Sequence, residues 1–192
     1  MSASSFINTL TALTPATATG TAAAQLADAQ SKMGFVPAMY ANMANAPAVL
    51  STYLHGYGLF RSDSGFSPAE QEVVFLATSI ANGCDYCTAA HSMVADKMSG
   101  VPAPVLQAIR SGTTVPDSKL EVLRATTTAL VLQRGRLNDA QARAFYGAGY
   151  TEHQLLYIVL ALAVKTLSNY SNHAFDPLLD APFAAYAVSP KA

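Results

Sequence analysis

Apolar residues recur at helical spacing along this chain, and no segment alternates between apolar and polar positions as a half-buried strand does. The pattern predicts an all-α protein with helices of ordinary length joined by short turns. The predicted helices cover residues 22–32, 37–60 (interrupted at Pro47 and ending near Gly56 and Gly58), 67–82, 84–98, 102–111, 117–135, a segment after Asn138, and 151–172.

The clearest helix boundaries lie in the middle of the chain. Ser67, Pro68 and Glu70 combine a capping residue, a proline in the first helical position and the glutamate of a capping box. Gly83 then predicts the end of that helix. A second capping box at residues 151–154 opens a long apolar helix, and Pro177 and Pro182 predict an irregular tail after it.

The helices are interpreted as a single all-helical domain over residues 1–192. Within it, residues 1–60 form an N-terminal helical extension, 67–111 hold the candidate chemistry, and 117–176 form a C-terminal helical hairpin. The length of 192 residues suits one well-cored unit.

Composition adds expectations about partners and location. Only 12% of the residues are charged while 51% are hydrophobic, which predicts apolar surface buried between subunits of a homo-oligomer. The net charge of −1 and the lack of a basic stripe argue against nucleic-acid binding. The apolar run at 155–164 is half of a membrane span, and no positive charge precedes the first apolar residues. We therefore expect a cytoplasmic protein with no membrane partner.

The candidate chemistry lies at Cys84 and Cys87, the only 2 cysteines of the chain, with His91 one helical turn further on. In a helix, Cys84, Cys87 and His91 fall at about 0°, 300° and 340°, on one stripe. The first turn of a helix and a nearby histidine both lower a thiol pKa. This spacing predicts a dithiol/disulfide couple.

Glu72 lies on the preceding helix, and antiparallel packing of the two helices would bring its carboxylate to His91. The predicted roles are Cys87 as attacking thiol, Cys84 as resolving thiol, and His91 with Glu72 as proton relay; the opposite order of the cysteines stays open. Two other readings are also open. One is a pair of inert buried thiols, and the other is a zinc site with Cys84, Cys87 and His91 as ligands.

The arrangement of Glu72, eleven residues, Cys84-x-x-Cys87, three residues and His91 resembles the signature of the carboxymuconolactone decarboxylase / AhpD-like superfamily. It looks most like the alkylhydroperoxidase branch, and residues 165–183 are similar to peroxidase-related members. The two regions lie in about the last two thirds of the chain. The resemblance implies an AhpD-like helical bundle that assembles as a trimer or hexamer.

The same resemblance implies peroxidase or disulfide-reductase activity without haem, flavin or metal, so no cofactor is expected. The expected partners are an organic hydroperoxide or disulfide substrate and a lipoylated or other dithiol electron donor. Tyr86 departs from this branch, which often has a histidine directly before the second cysteine. The alternatives are a cofactor-free decarboxylase on the same scaffold and a non-enzymatic redox-sensing oligomer; a redox couple is not what decarboxylation requires.

Overall fold

The computed structural model describes residues 5–188; the first four residues of the predicted N-terminal extension, and the last four of the predicted domain, lie outside the described residues. Within that range the chain is all-α, as predicted, with no strand. The α-helices are α1 (Gly20–Met33), α2 (Ala38–Met43), α3 (Pro47–Asp63), α4 (Pro68–Ala81), α5 (Asp85–Lys97), α6 (Ala103–Ser111), α7 (Ser118–Leu132), α8 (Asp139–Gly147) and α9 (Glu152–Phe175). None of the helices described is long and apolar enough to cross a membrane.

The capping signals mark the helix boundaries that they predict. The Ser67 hydroxyl accepts from the Glu70 N–H, and the Glu70 carboxylate accepts from the Ser67 N–H, so α4 begins with a complete capping box. Gly83 follows α4 with φ of 69°, a left-handed conformation that favours glycine. The capping box of α9 is also present, at Thr151 and Gln154.

The predicted end of α3 near Gly56 and Gly58 is wrong, because α3 continues to Asp63. Gly56 is a packing position rather than a stop. A Cβ at this residue would lie 2.8 Å from Cγ2 of Val164, so glycine permits α3 and α9 to approach closely. The extra turns of α3 carry Tyr57 and Arg61 into the interior of the molecule.

Helix α4 is the centre of the fold and packs against α5, α6, α7 and α9. Every residue from Glu70 to Ser79 is buried, with an apolar run at 73–77 and buried polar residues on either side of it. One core lies between α4, α7, α8 and α9 and contains Phe75 and Phe145. A second core contains both cysteines and is completed by α1, α2 and α3, so the N-terminal helices cover the cysteines.

The tail after α9 is more regular than predicted. Residues Ala181–Tyr186 form a 3₁₀ helix that packs on α5. Arg110 of α6 holds its end by donating to the carbonyls of Tyr186 and Ala187, both at 3.1 Å. Phe183 packs edge-on against Phe35 and Tyr86, so the tail closes over the beginning of α5.

Candidate active site

The two cysteines lie at the junction of α4 and α5. Cys84 is the N-cap of α5, with its N–H donating to the Ser79 carbonyl at 2.9 Å, and Cys87 is in the first turn. Both are free thiols, each 2% exposed. Because the left-handed Gly83 reverses the chain just before Cys84, α5 folds back along α4 and brings its buried face to that helix.

This reversal brings Glu72 and His91 into contact, although they are 19 residues apart. His91 Nδ1 lies 2.8 Å from Glu72 Oε2, and Glu72 is fully buried. The other carboxylate oxygen, Oε1, accepts from Arg61 Nη2. Glu72 is therefore shared between one imidazole and one guanidinium.

The electrostatics of this cluster keep Glu72 ionised and His91 neutral. Burial alone would raise the pKa of Glu72, but His91 and Arg61 outweigh it and the pKa lies below its usual value. Burial, together with the charge of Lys165, lowers the pKa of His91 despite the opposing effect of Glu72. A neutral imidazole beside a carboxylate carries its proton on Nδ1, so Nε2 is the basic nitrogen.

Arg61 is a member of the cluster that the sequence analysis missed. Its guanidinium also donates to the Tyr57 hydroxyl at 2.6 Å and to Gln71 Oε1 at 3.0 Å. It lies 4.8 Å from the centroid of the Tyr57 ring and 4.9 Å from that of Phe75. Arg61 was missed because the predicted end of α3 placed it in a loop.

The opposite wall of the site is a buried polar stripe on α9, formed by Lys165, Ser168, Asn169 and Asn172, each at most 4% exposed. Their spacing of three and four residues puts them on one face of the helix. Asn172 Nδ2 donates to the sulfurs of both cysteines, at 3.3 Å from Cys87 and 3.7 Å from Cys84. This stripe was not predicted from the sequence. Polar residues at helical spacing in an apolar helix are the pattern that indicates it.

The surroundings separate the two thiols in acidity. The Cys84 thiol, as a hydrogen-bond donor to Cys87, lowers the pKa of Cys87, and the charges of Lys165 and His91 act in the same direction; burial opposes them and is outweighed. The pKa of Cys84 is raised, first by that same hydrogen bond and then by burial. The surroundings therefore favour the thiolate at Cys87 over the thiolate at Cys84.

Tyr86, which stands where the branch that the sequence resembles often has a histidine, makes its hydrogen bonds away from this cluster. Its hydroxyl donates to the Asp180 carboxylate and accepts from the Met39 N–H at 3.4 Å. Asp180 also accepts from the Ala38 N–H, at 3.2 Å. Tyr86 therefore joins the tail to α2, and its hydroxyl has its hydrogen-bond partners there.

Two cavities meet at Cys84. The larger, of about 780 Å³, extends toward α6 and Arg110. The smaller, of about 490 Å³, extends toward Asn172 and His173. Both are lined by Gly83, Cys84, Asp85 and Val188, whereas Cys87 lines neither. Cys84 is therefore the sulfur that borders both cavities, and Cys87 lies behind it.

The structure brings Glu72 to His91 and Cys84 to Cys87, and the α9 stripe joins both cysteines. In the described part of the chain, no hydrogen bond links Cys87 directly to His91; the imidazole faces Glu72 instead. Within residues 5–188, no three His, Cys, Asp or Glu side chains are arranged to hold a metal ion, so the zinc reading lacks a ligand set there. The fold and site define an all-helical protein with a buried dithiol.

Comparison with known proteins supports the predicted resemblance. Residues 47–127 match the model of the carboxymuconolactone decarboxylase family, in agreement with the signature around Cys84. The matched segment begins with α3 and ends in α7, so it includes Arg61, Glu72, both cysteines and His91. No curated protein matches the chain.

Solved structures share the fold at low sequence identity. An alkylhydroperoxidase AhpD core, an uncharacterised peroxidase-related protein from Ralstonia eutropha JMP134, is 21% identical with a TM-score of 0.80, covering 95% of this chain and 97% of that chain. The debrominase Bmp8, as a cysteine-to-alanine variant with 2,3,4-tribromopyrrole, is 18% identical with a TM-score of 0.74, covering 94% and 96%. A peroxidase-related protein from Silicibacter sp. TM1040 is 19% identical with a TM-score of 0.70, covering 83% and 85%.

Proposed function

We propose that the protein is a thiol-dependent alkylhydroperoxidase or disulfide reductase that cycles Cys84 and Cys87 between dithiol and disulfide. The observation that carries the proposal is the asymmetry of the pair. Asn172 donates to both sulfurs, yet the surroundings favour a thiolate at Cys87 and a neutral thiol at Cys84. A nucleophile beside a protonated resolving thiol is the arrangement that two-step thiol oxidation requires.

With a hydroperoxide, the Cys87 thiolate attacks the terminal peroxide oxygen. An S–O bond forms, the O–O bond breaks, and the alkoxide takes a proton and leaves as the alcohol. Cys84 then attacks the sulfur of the resulting sulfenic acid, forming the disulfide and releasing water. A dithiol donor restores the pair by supplying two electrons and the proton that Cys84 keeps; its second proton goes to solvent, and the donor itself becomes a disulfide.

His91 and Glu72 serve this cycle as the base and its orienting carboxylate. Glu72 accepts the Nδ1 proton at 2.8 Å, which leaves Nε2 of the neutral imidazole free to accept a proton. The depressed pKa of His91 keeps that nitrogen unprotonated at neutral pH. This supports a relay that takes the proton lost when Cys84 attacks.

The two cavities support an assignment of the sulfur that the electron donor attacks. Cys84 lines both cavities while Cys87 lies behind it, so a dithiol donor reaches the Cys84 side of the disulfide first. Attack there releases Cys87, the more stable thiolate and therefore the better leaving group. The donor class is the dithiol expected from the family resemblance.

The homo-oligomer, a trimer or hexamer, is part of the same proposal. The outer face of α9 exposes Leu156, Val159 and Tyr170 at 71%, 49% and 56%, on the side opposite the polar stripe. An apolar helix face of this kind suits contact with a second copy of the chain. Light scattering after size exclusion measures the state, and Leu156→Glu is expected to shift it toward smaller species.

The proposal is tested by the intact mass of the protein after treatment with an organic hydroperoxide. Reduced wild type should lose the mass of two hydrogens, and Cys84→Ser should gain one oxygen at Cys87. Cys87→Ser should stay unchanged at the same peroxide concentration. A wild-type mass that does not change would contradict the peroxidase reading, and oxidation confined to Cys84 would reverse the roles of the thiols.

A further inference from the structure

Lys165 is a buried cation that has no role in the proposed catalytic cycle. Its side chain is fully buried in the middle of α9. Among the described residues, no atom accepts a hydrogen bond from its Nζ, although the Phe75 ring lies below it at 5.7 Å from Nζ to the ring centroid. A buried ammonium is costly unless an anion is near. Lys165 therefore needs a counter-charge within the site.

The carboxylate of the site is already shared. Glu72 gives one oxygen to Arg61 and the other to His91, so both of its oxygens are occupied by other partners. Besides Lys165, the titratable and charged groups around Cys87 and its neighbour His91 come from four elements: Tyr40 on α2, Tyr53 and Arg61 on α3, Glu72 on α4, and Cys84, Tyr86 and His91 on α5. The tyrosines remain protonated, because burial raises the pKa of each.

The remaining group that can become an anion is the Cys87 sulfur, and the α9 stripe aims at it. Ser168 and Asn172, one and two turns beyond Lys165 on the same face, lie 4.0 Å and 3.3 Å from that sulfur. Phe75, which lies below Lys165, also packs against His91 with ring centroids 4.8 Å apart. Lys165 thus lies on the face of α9 that is turned toward Cys87, and it shares the Phe75 ring with His91.

We propose that Lys165 is the counter-ion of the Cys87 thiolate and sets both the acidity of this thiol and the reduction potential of the disulfide. The part concerning acidity needs only the geometry; its catalytic use rests on the proposed function. The branch that the sequence resembles often has a histidine at the position of Tyr86, and a tyrosine cannot carry a positive charge there. Lys165 provides a positive charge instead. It acts from α9 rather than from the cysteine helix.

The proposal has a redox consequence that follows from charge balance. Reduction of the disulfide by two thiols forms Cys84–SH and the Cys87 thiolate, the donor becomes a disulfide, and the second thiol proton is released to solvent. The thiolate then faces the ammonium. Oxidation removes this anion and leaves Lys165 with no counter-charge. The pairing therefore stabilises the reduced form selectively, which makes the disulfide easier to reduce.

The acidity is tested by following ultraviolet thiolate absorbance against pH in a Cys84→Ser background, where Cys87 is the remaining thiol. The serine hydroxyl keeps a hydrogen-bond donor next to the sulfur. Lys165→Met and Lys165→Gln should each raise the apparent pKa of Cys87 by about one unit or more, which cuts the thiolate fraction below that pKa roughly tenfold. Lys165→Arg should keep the pKa low, and the exposed control Lys97→Met should leave it unchanged.

The reduction potential is tested in glutathione redox buffers with both cysteines present. Lys165→Met should require more reduced glutathione to open the disulfide. A shift of about tenfold in the equilibrium constant corresponds to about 30 mV. Lys97→Met should have the same reduction potential and the same circular dichroism spectrum as wild type.

These measurements use no peroxide, so they separate this proposal from the proposed function. A Cys87 pKa and a potential that stay the same in folded Lys165→Met and Lys165→Gln would overturn the counter-ion role. Equal shifts in Lys165→Arg and Lys165→Met would overturn it as well, because charge would not be the cause. If the shifts occur but wild type ignores hydroperoxide, Lys165 keeps its role and the peroxidase proposal fails.

Discussion

The two walls of the site differ in how completely their polar groups are paired. On the α3–α4 side, Arg61, Glu72 and His91 form a connected cluster in which both oxygens of the carboxylate have partners. On the α9 side, Lys165 Nζ, Asn169 Nδ2 and Asn172 Oδ1 are buried without hydrogen-bond partners among the described residues. The same small site is thus saturated on one wall and open on the other.

The two walls therefore have different roles: the α3–α4 wall fixes the geometry of the site, and the α9 wall responds to a change of charge. A fully paired buried network rigidifies its members, so the α3–α4 wall fixes the imidazole. Unpaired polar groups are costly at rest and gain when a charge or a bound molecule satisfies them. The α9 wall faces the sulfurs, the atoms whose charge changes during a redox cycle. The first wall should therefore dominate stability and the second should dominate reactivity.

The largest stability effect is expected from Glu72→Gln. The substitution leaves the partly buried Arg61 without its carboxylate and leaves one amide oxygen for the two donors Arg61 and His91, so we expect a loss of about 3–5 kcal/mol in the free energy of unfolding. Denaturant titration measures it. The matched control is Glu121→Gln, which breaks a partly exposed pair with Arg124 and should cost at most about 1 kcal/mol. Equal losses in the two variants would remove the distinction between the walls.

Gly56→Ala tests the close contact between α3 and α9. The added Cβ would lie 2.8 Å from Val164 Cγ2, and overpacking of this kind costs about 1–3 kcal/mol. Gly58→Ala, two residues away in the same helix, has nothing within 4 Å of the new Cβ and should stabilise by about 0.4–1 kcal/mol. Thermal unfolding of both variants measures the contrast. Destabilisation by both alanines would mean that Gly56 is not a contact between α3 and α9.

The pH dependence of stability tests the paired wall. The pKa of His91 is lowered in the folded protein, so the unfolded chain binds more protons as the pH falls below about 6.5. Folding stability should therefore decrease from that pH downward, by up to about 1.4 kcal/mol per pH unit from this group.

The control for the pH profile is a histidine elsewhere. His153→Asn, at an exposed position, should retain the slope between about pH 6.5 and 5, whereas His91→Asn should reduce it. Denaturant titrations across this range measure both. An unchanged slope in His91→Asn would show that His91 is not held neutral by its surroundings.

The smallest effect is expected from Tyr86→Phe. Loss of the hydroxyl removes the bonds to Asp180 and the Met39 N–H, which should cost about 0.5–1.5 kcal/mol of stability. The Cys87 pKa should stay the same, because the hydroxyl points to the tail rather than to the thiols. A marked rise in the Cys87 pKa would place Tyr86 in the reactive wall after all.

The sequence predicts the parts of this fold that depend on local interactions. The capping boxes at Ser67 and Thr151 mark the starts of α4 and α9, and the spacing of Cys84, Cys87 and His91 predicts that they share one stripe of a helix, which is the buried face of α5. Contact between Glu72 and His91 follows from a short turn between consecutive helices. These features depend on residues that are close along the chain.

Arg61 and Lys165 were beyond such reasoning because their roles depend on long-range packing. In the sequence, Gly56 resembles the end of a helix, because its contact with α9 is not apparent there. In the structure α3 continues past Gly56, which brings Arg61 to Glu72. Lys165 is 78 residues from Cys87, and nothing local indicates that its face of α9 is turned toward that sulfur. A lysine with two asparagines on one face of an apolar helix is the remaining sign.

The central claim, a dithiol that reduces hydroperoxide in two steps, is tested most directly by counting peroxide consumed per reduced protein. Without a donor, wild type should consume one equivalent of an organic hydroperoxide and stop as the Cys84–Cys87 disulfide. With excess dihydrolipoamide it should turn over repeatedly, while Cys87→Ser should consume none in either condition. Consumption by Cys87→Ser equal to that of wild type, or none by wild type, would contradict the account.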